Sequence, residues 1–306
     1  MTPTLKNMDI KLQQTIRLDY LSDPRLQERK IRLALLRLDL IHPLISGNKW
    51  FKLKENLKLA IAEKAASVLT FGGAYSNHLI ATAAATKAAG LHSIGVVRGW
   101  HGAAQENPTL EACRALDMQL KFISREEYRE KDSAAFQERI GREFPRSFVI
   151  PEGGNNAAGI SGAAEIASYL PAEASHVALA VGTGTTMAGM ALALPQKVPL
   201  LGFCALKNGE YLKNKLHQLI DHPYWELFTD AHEGGFAKHN TALISWMNLF
   251  YEQQQIPLDF VYTAKMMKRM FTLIESDYFP SGSHIICIHT GGLQGNSSIA
   301  QHLCYS

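Results

Sequence analysis

The sequence predicts an α/β protein of parallel β-sheets covered by helices, and three observations predict it. Short apolar runs of strand length alternate with amphipathic runs of helix length along most of the 306 residues. Four of the strand-like runs end in glycine, where a strand turns toward a helix. The chain is 46% hydrophobic and its charge is nearly balanced, 31 Lys+Arg against 28 Asp+Glu, as in chains that bury a full core. At roughly 150 residues per domain the length suggests two lobes, although one large α/β unit also fits.

The expected strands lie at 31–36, 67–71, 93–97, 148–150, 177–181, 200–204 and 285–288, each short and largely apolar. Between them, helical patterns cover 51–64, 77–89, 108–116, 157–169, 186–194, 243–253 and 265–275. Loops are expected at 98–107, 121–131 and 221–239. No internal repeat or low-complexity tract interrupts this rhythm.

Composition excludes several classes. A net charge of +3 argues against an electrostatic nucleic-acid binder. No apolar run reaches the roughly 18 residues of a membrane span, and the first residues show no secretory pattern. Cys113, Cys204, Cys287 and Cys304 are scattered, so neither a disulfide frame nor a zinc site is expected, and a reducing cytoplasm is the simplest location. His284 and His289 lie five apart in one strand, hence on opposite faces, and no metal is expected.

The glycine-ended strands are ASVLTFGG (66–73), FVIPEGG (148–154), HVALAVGTG (176–184) and HIICIHTGG (284–292). Ligands of open parallel sheets sit outside the carboxyl ends of strands, and glycine there lets backbone N–H groups approach an anion. Any one of these could be only a tight turn; four together point to a bound cofactor or substrate. The sharpest cradle is GTGTT, where Gly182, Thr183, Gly184, Thr185 and Thr186 lead from a strand into a helix. Met187 stands where a dinucleotide fingerprint needs its third glycine, and no Gly-Lys-Ser/Thr follows, so a monophosphate is the expected occupant.

In SGNKWFKLKENLKLAIAEK, Leu53, Leu57, Ala60 and Ile61 mark an apolar helix face. Lys49 precedes Leu53 by four residues and projects to that side, whereas Lys54 and Lys58 lie on a solvated stripe. A cation at a helix N-terminus opposes the macrodipole, and desolvation disfavours it further. The neutral amine so favoured attacks carbonyls. A phosphate cradle and an inward lysine together suggest pyridoxal phosphate.

From about residue 30, the runs DLIHPLISGNKWFKLKENL, GGAYSNH, PEGGNNAAGISGAAEI, GTGTTMAG, IPLDFVYTAKMM and HTGGLQG resemble, in order, the pyridoxal-phosphate enzymes grouped as D-cysteine desulfhydrase and 1-aminocyclopropane-1-carboxylate (ACC) deaminase. The resemblance implies a tryptophan-synthase β-like fold with two open, twisted, mostly parallel sheets flanked by helices. It implies a large cofactor domain at 1–50 and 161–306, a smaller mobile domain at 51–160, and a homodimer. It assigns Lys49 as the lysine bonded to the cofactor and Asn77 as the partner of its ring oxygen. Ser76 matches a contact to the substrate carboxylate and a proton-transfer group, with Tyr75 and His78 beside it. Thr290 matches the residue facing the pyridine nitrogen, and Tyr262 is implied near the ring. A hydroxyl at that nitrogen does not enforce ring protonation, which suits elimination of a β-leaving group.

Two activities compete within the resemblance. ACC-ring opening goes with Tyr-Glu in a YxGK motif, whereas this chain reads Tyr262-Thr263-Ala264-Lys265. Thr263 therefore favours the desulfhydrase-like branch, in which a small D-amino acid yields pyruvate, ammonia and sulfide and Lys49 serves as base. Ala264 replaces the usual glycine, and Phe236 stands where a substrate-contacting tyrosine is expected. That loss keeps open a cofactor-binding protein without efficient catalysis.

Overall fold

The apolar runs become strands, and they assemble into two sheets, one in each of two units. The computed structural model describes residues 15–99 and 107–305. Among these, the smaller unit runs from Lys49 to Gly162, and the larger takes the chain before Lys49 and after Gly162.

The larger unit opens with β1 (Leu18–Tyr20), α1 (Pro24–Glu28) and β2 (Arg32–Arg37). Next come α2 (Asn48–Ala62), β3 (Ser67–Gly73), α3 (Asn77–Ala88), β4 (His92–Arg98) and α4 (Pro108–Ala115). The smaller unit ends through β5 (Met118–Ile123), α5 (Arg125–Arg129), α6 (Ala134–Glu143), β6 (Ser147–Ile150) and α7 (Ala157–Ala164). The chain then returns to the larger unit with β7 (His176–Val181), α8 (Thr185–Ala193), β8 (Leu200–Cys204) and α9 (Tyr211–Leu219). It finishes with β9 (Trp225–Phe228), α10 (Thr241–Gln254), α11 (Thr263–Glu275) and β10 (His284–His289).

The larger sheet has the order β1-β2-β10-β7-β8-β9 and is parallel except for β1, which pairs antiparallel with β2. Its inner strands are buried along nearly their whole length, which is why they read as unbroken apolar runs. Met266, Met267, Met270 and Phe271 of α11 fill the core on one face of this sheet. The smaller sheet, β5-β4-β3-β6, is parallel throughout, and Leu69, Phe71, Ile94 and Val96 pack there with Phe136 and Ile140 of α6. Of the four glycine-ended strands, β3 and β6 lie in the smaller sheet and β7 and β10 in the larger.

Two expected loops are corrected. The segment 121–131 holds the end of β5 and all of α5, and 221–239 contains β9. Both strands are sheet edges, so their outward positions carry Gln119, Lys121 and Glu226 and the apolar signal breaks. The expected loop at 98–107 falls mostly outside the described residues. The helix expected at 157–169 is α-helical only to Ala164 and continues as a 3₁₀ turn over Glu165–Tyr169. No helix among the described residues is long and apolar enough to cross a membrane.

Candidate functional site

In the larger unit, strands β7, β8 and β9 proceed to one side while β10 and β2 lie to the other. The carboxyl ends of β7 and β10 are therefore adjacent at a change of strand order, where open α/β sheets bind ligands. Past β7, Gly184 adopts φ +87° as N-cap of α8 and, having no side chain, makes no capping hydrogen bond to that helix. The hydroxyls of Thr183 and Thr185 are 2.9 Å apart, and Asn48 Nδ2 donates to Thr186 Oγ1 at 2.8 Å. Behind the turn, Lys215 of α9 donates to the Thr183 carbonyl at 3.3 Å. A side chain on Gly182 would meet the Tyr262 ring at 3.1 Å, so glycine here lets Tyr262 lie against the cradle.

The end of β10 is braced from below by residues the sequence reading missed. Arg37 grips Asp39 with Nε–Oδ1 at 2.8 Å and Nη2–Oδ2 at 2.7 Å, and reaches Asp19 at 2.7 Å. Burial works against the charge on Asp39, but His289 when protonated and the Arg37 fork outweigh it and hold the carboxyl below its ordinary range. His289 Nε2 lies 2.9 Å from the Pro257 carbonyl, and its Nδ1 accepts the Gly291 N–H at 3.2 Å. Above it, the buried Thr290 offers its carbonyl to Asn48 N at 3.3 Å. Gly47, at φ +64°, lies so close to that carbonyl that a Cβ would sit 1.9 Å from the oxygen.

Tyr262 is presented by a carboxylate cap. Asp259, fully buried, accepts the N–H groups of Val261, Tyr262 and Thr263 at 3.1, 2.8 and 2.9 Å, and also the Thr263 hydroxyl. Thr263, the first residue of α11, is thereby held by Asp259 through both its N–H and its hydroxyl. Phe236 meets Tyr262 edge-on, with centroids 5.9 Å apart, and remains 46% exposed. Its loop is bolted to α11: buried Lys265 donates to the Gly235 carbonyl at 2.7 Å, and Lys268 pairs with Glu233 at 2.8 Å. Burial pushes the Lys265 ammonium down to about 8.

In the smaller unit, α2 begins before the expected position, so Lys49 lies in its first turn, half-buried, on the helix that buries Leu53, Leu57 and Ala60. Lys58 is solvated beside Glu55, while Lys54 is half-buried over the Phe51 ring. A second buried lysine escaped the sequence reading. Lys52 is 4% exposed and donates to the Gly153 carbonyl at 3.1 Å; its spacing of three from Lys49 was the available signal.

Ser76 is the N-cap of α3. Its Oγ accepts the amides of His78 and Leu79 at 3.2 and 3.3 Å, which leaves its own proton free to donate. Asn77 Oδ1 is buried with no hydrogen-bond partner among the described residues. Tyr75 is exposed, but His78 turns its ring inward, with Nε2 2.9 Å from Thr70 Oγ1. Thr70 donates its proton to the Ile150 carbonyl at 2.8 Å, so Nε2 carries the imidazole proton. Burial, then the charges of Lys49 and Lys52, push His78 down to about 3. The structure thus groups Lys49 with residues 75–78 in one unit, and 182–186 with Phe236, Tyr262 and Thr290 in the other.

Comparison with known proteins gives a consistent picture. A family model described as "Pyridoxal-phosphate dependent enzyme" matches residues 12–291. A putative ACC deaminase of Thermotoga maritima is 30% identical over 280 residues, covering 85% of this chain and 88% of the relative. A D-cysteine desulfhydrase of Yersinia enterocolitica is 28% identical, covering 92% of this chain and 95% of the relative. Among solved structures, an ACC deaminase homologue superposes with a TM-score of 0.80 at 24% identity, covering 96% of this chain and 95% of its own, a likeness of fold.

Proposed function

This chain belongs to the pyridoxal-phosphate dependent enzyme family, and on that premise we propose that it is a lyase that eliminates a β-leaving group from a small D-amino acid. The products are pyruvate and ammonia, with sulfide when the substrate is D-cysteine. Two observations support the fit of the cofactor. The start of α8 offers backbone amides behind a left-handed glycine, as a phosphate requires. The buried Asn77 amide keeps its Oδ1 end unpartnered, and turning the amide over would present Nδ2 there as the donor that a phenolate ring oxygen requires.

In this reading Gly182, Thr183, Gly184, Thr185 and Thr186 hold the phosphate, Thr290 serves the pyridine nitrogen, Asn77 the ring oxygen and Lys49 the aldehyde carbon. The bound cofactor supplies an electron sink for the pair left when a substrate α-proton departs. Lys49 Nζ accepts that proton once its amine is free. The Ser76 hydroxyl, already accepting two amides, donates to the substrate carboxylate. Tyr262 and Phe236 supply an aromatic wall, and Phe236 restricts the substrate to one that needs no hydroxyl there.

The observation that carries the choice of reaction is Thr263. It takes the place of the acid that marks ring opening, and its hydroxyl is bound to Asp259. Incubation of pure protein with D-cysteine, β-chloro-D-alanine and ACC, following pyruvate and 2-oxobutyrate, tests this. Turnover of ACC alone refutes the branch and gives the ACC deaminase reading. Phe236 favours a second reading, a cofactor-holding protein that turns over none of these yet shows a Schiff-base absorbance lost in Lys49→Ala. We also propose a cytoplasmic homodimer, a state that sedimentation tests directly.

A further inference from the structure

We infer that Asn48 is a positioning residue that sets the hydrogen-bond polarity of the phosphate cradle, acting through Thr186; this rests on the cofactor reading above. Asn48 ties three segments of the larger unit together. Its backbone N–H donates to the Thr290 carbonyl at 3.3 Å, and the preceding Gly47 N–H to the Leu38 carbonyl at 2.9 Å. Its side-chain Nδ2 then reaches Thr186 Oγ1 at 2.8 Å, in buried surroundings. It also immediately precedes Lys49 in the chain.

The chemistry follows from donor counting. A threonine hydroxyl has one proton and two lone pairs. With Asn48 filling one lone pair, the Thr186 proton is free to point elsewhere as a donor. A phosphate monoester dianion consists of acceptors, so a donor is what it requires. An acceptor at position 48 would reverse the arrangement: Thr186 would donate inward and present a lone pair to the anion.

Asn48→Asp makes that reversal with almost no change of shape, and Asn48→Ala removes the donor without replacing it. The assay titrates apoprotein with pyridoxal phosphate and, separately, with pyridoxal, which lacks the phosphate, reading Schiff-base absorbance rather than turnover. Asn48→Asp is expected to weaken pyridoxal phosphate by about tenfold or more while changing pyridoxal little, with Asn48→Ala between it and wild type. In Thr186→Val the effect of Asn48→Asp should shrink, because the group through which it acts is gone. Equal losses for the two ligands, or wild-type affinity for pyridoxal phosphate in Asn48→Asp, would overturn the inference. Should the aspartate variant not fold, Asn48→Ala decides by the same ratio. If wild-type protein itself binds no pyridoxal phosphate, the cofactor reading fails first and carries this inference with it.

Discussion

Replacing Arg37 by methionine should expose how strongly the base of β10 depends on one ion pair. Methionine keeps much of the side-chain volume but removes both bonds to Asp39 and the one to Asp19. The Asp39 side chain has no exposed surface, so water cannot take over the vacated role. Breaking a buried pair from one side costs about 3–5 kcal/mol, because the other charge stays behind. An independent route gives a similar figure. If Asp39 instead takes up a proton at pH 7, the cost is about 1.4 kcal/mol per unit from an ordinary carboxylate value near 4, about 4 kcal/mol in all.

The sign of the pH effect separates this from loss of packing. In wild type the Asp39 pKa is depressed, so its contribution is full above the unfolded value and is lost as pH falls through the folded one. In Arg37→Met the folded value rises instead, and the deficit is largest at neutral pH and shrinks toward pH 5. Two units need not unfold together, so hydrogen exchange at the β10 amides of Ile286 and Cys287 is the appropriate assay. Arg37→Met/Asp39→Leu should recover most of the loss. A single variant within about 1 kcal/mol of wild type, or a double variant no better than the single, would refute the reasoning.

Other substitutions probe the rest of the site. His78, held near 3 when folded against 6.5 when free, makes the smaller unit lose stability as pH falls from 6.5 toward 3. The slope approaches about 1.4 kcal/mol per pH unit, and His78→Gln should flatten it in denaturation measured from pH 7 to 4. Gly47→Ala would place a Cβ 1.9 Å from the Thr290 oxygen at a left-handed φ, so a loss of at least about 2 kcal/mol is expected in thermal unfolding. Lys265→Met frees the loop that carries Phe236, and should raise KM for the amino acid more than it lowers kcat, with cofactor affinity unchanged by absorbance titration.

What the sequence revealed depended on whether a residue's role was local. Strands such as β8 and β10, buried on both faces, announce themselves, whereas the edge strands β5 and β9 mix lysine or glutamate with apolar residues and do not. The turn from β7 into α8 was legible because a glycine before a helix has meaning within five residues. The bracing of Thr290 was not, because Arg37 and His289 come together only through strand pairing across most of the chain. Ser76 could be read as a cap, but the inward turn of His78 depends on Thr70 in the neighbouring strand. Lys52 was hidden by its neighbours, since four lysines within ten residues look alike until packing sorts them.

The order of strands in the larger sheet bears on how the protein is made. Its central strand β10 pairs with β2 through His284↔Arg32 and with β7 through Ile285↔His176, yet it is the last strand in sequence order among the described residues. On the ribosome, residues 49–162 can form their sheet from contiguous chain while β2 waits for its partner. From residue 37 until residue 284 is made β2 lacks a neighbour, and from residue 181 β7 lacks one too, leaving two apolar strands with open edges. Nascent chains halted before residue 284 should therefore be protected from protease in the smaller unit alone, and the larger should be the part that calls on chaperones.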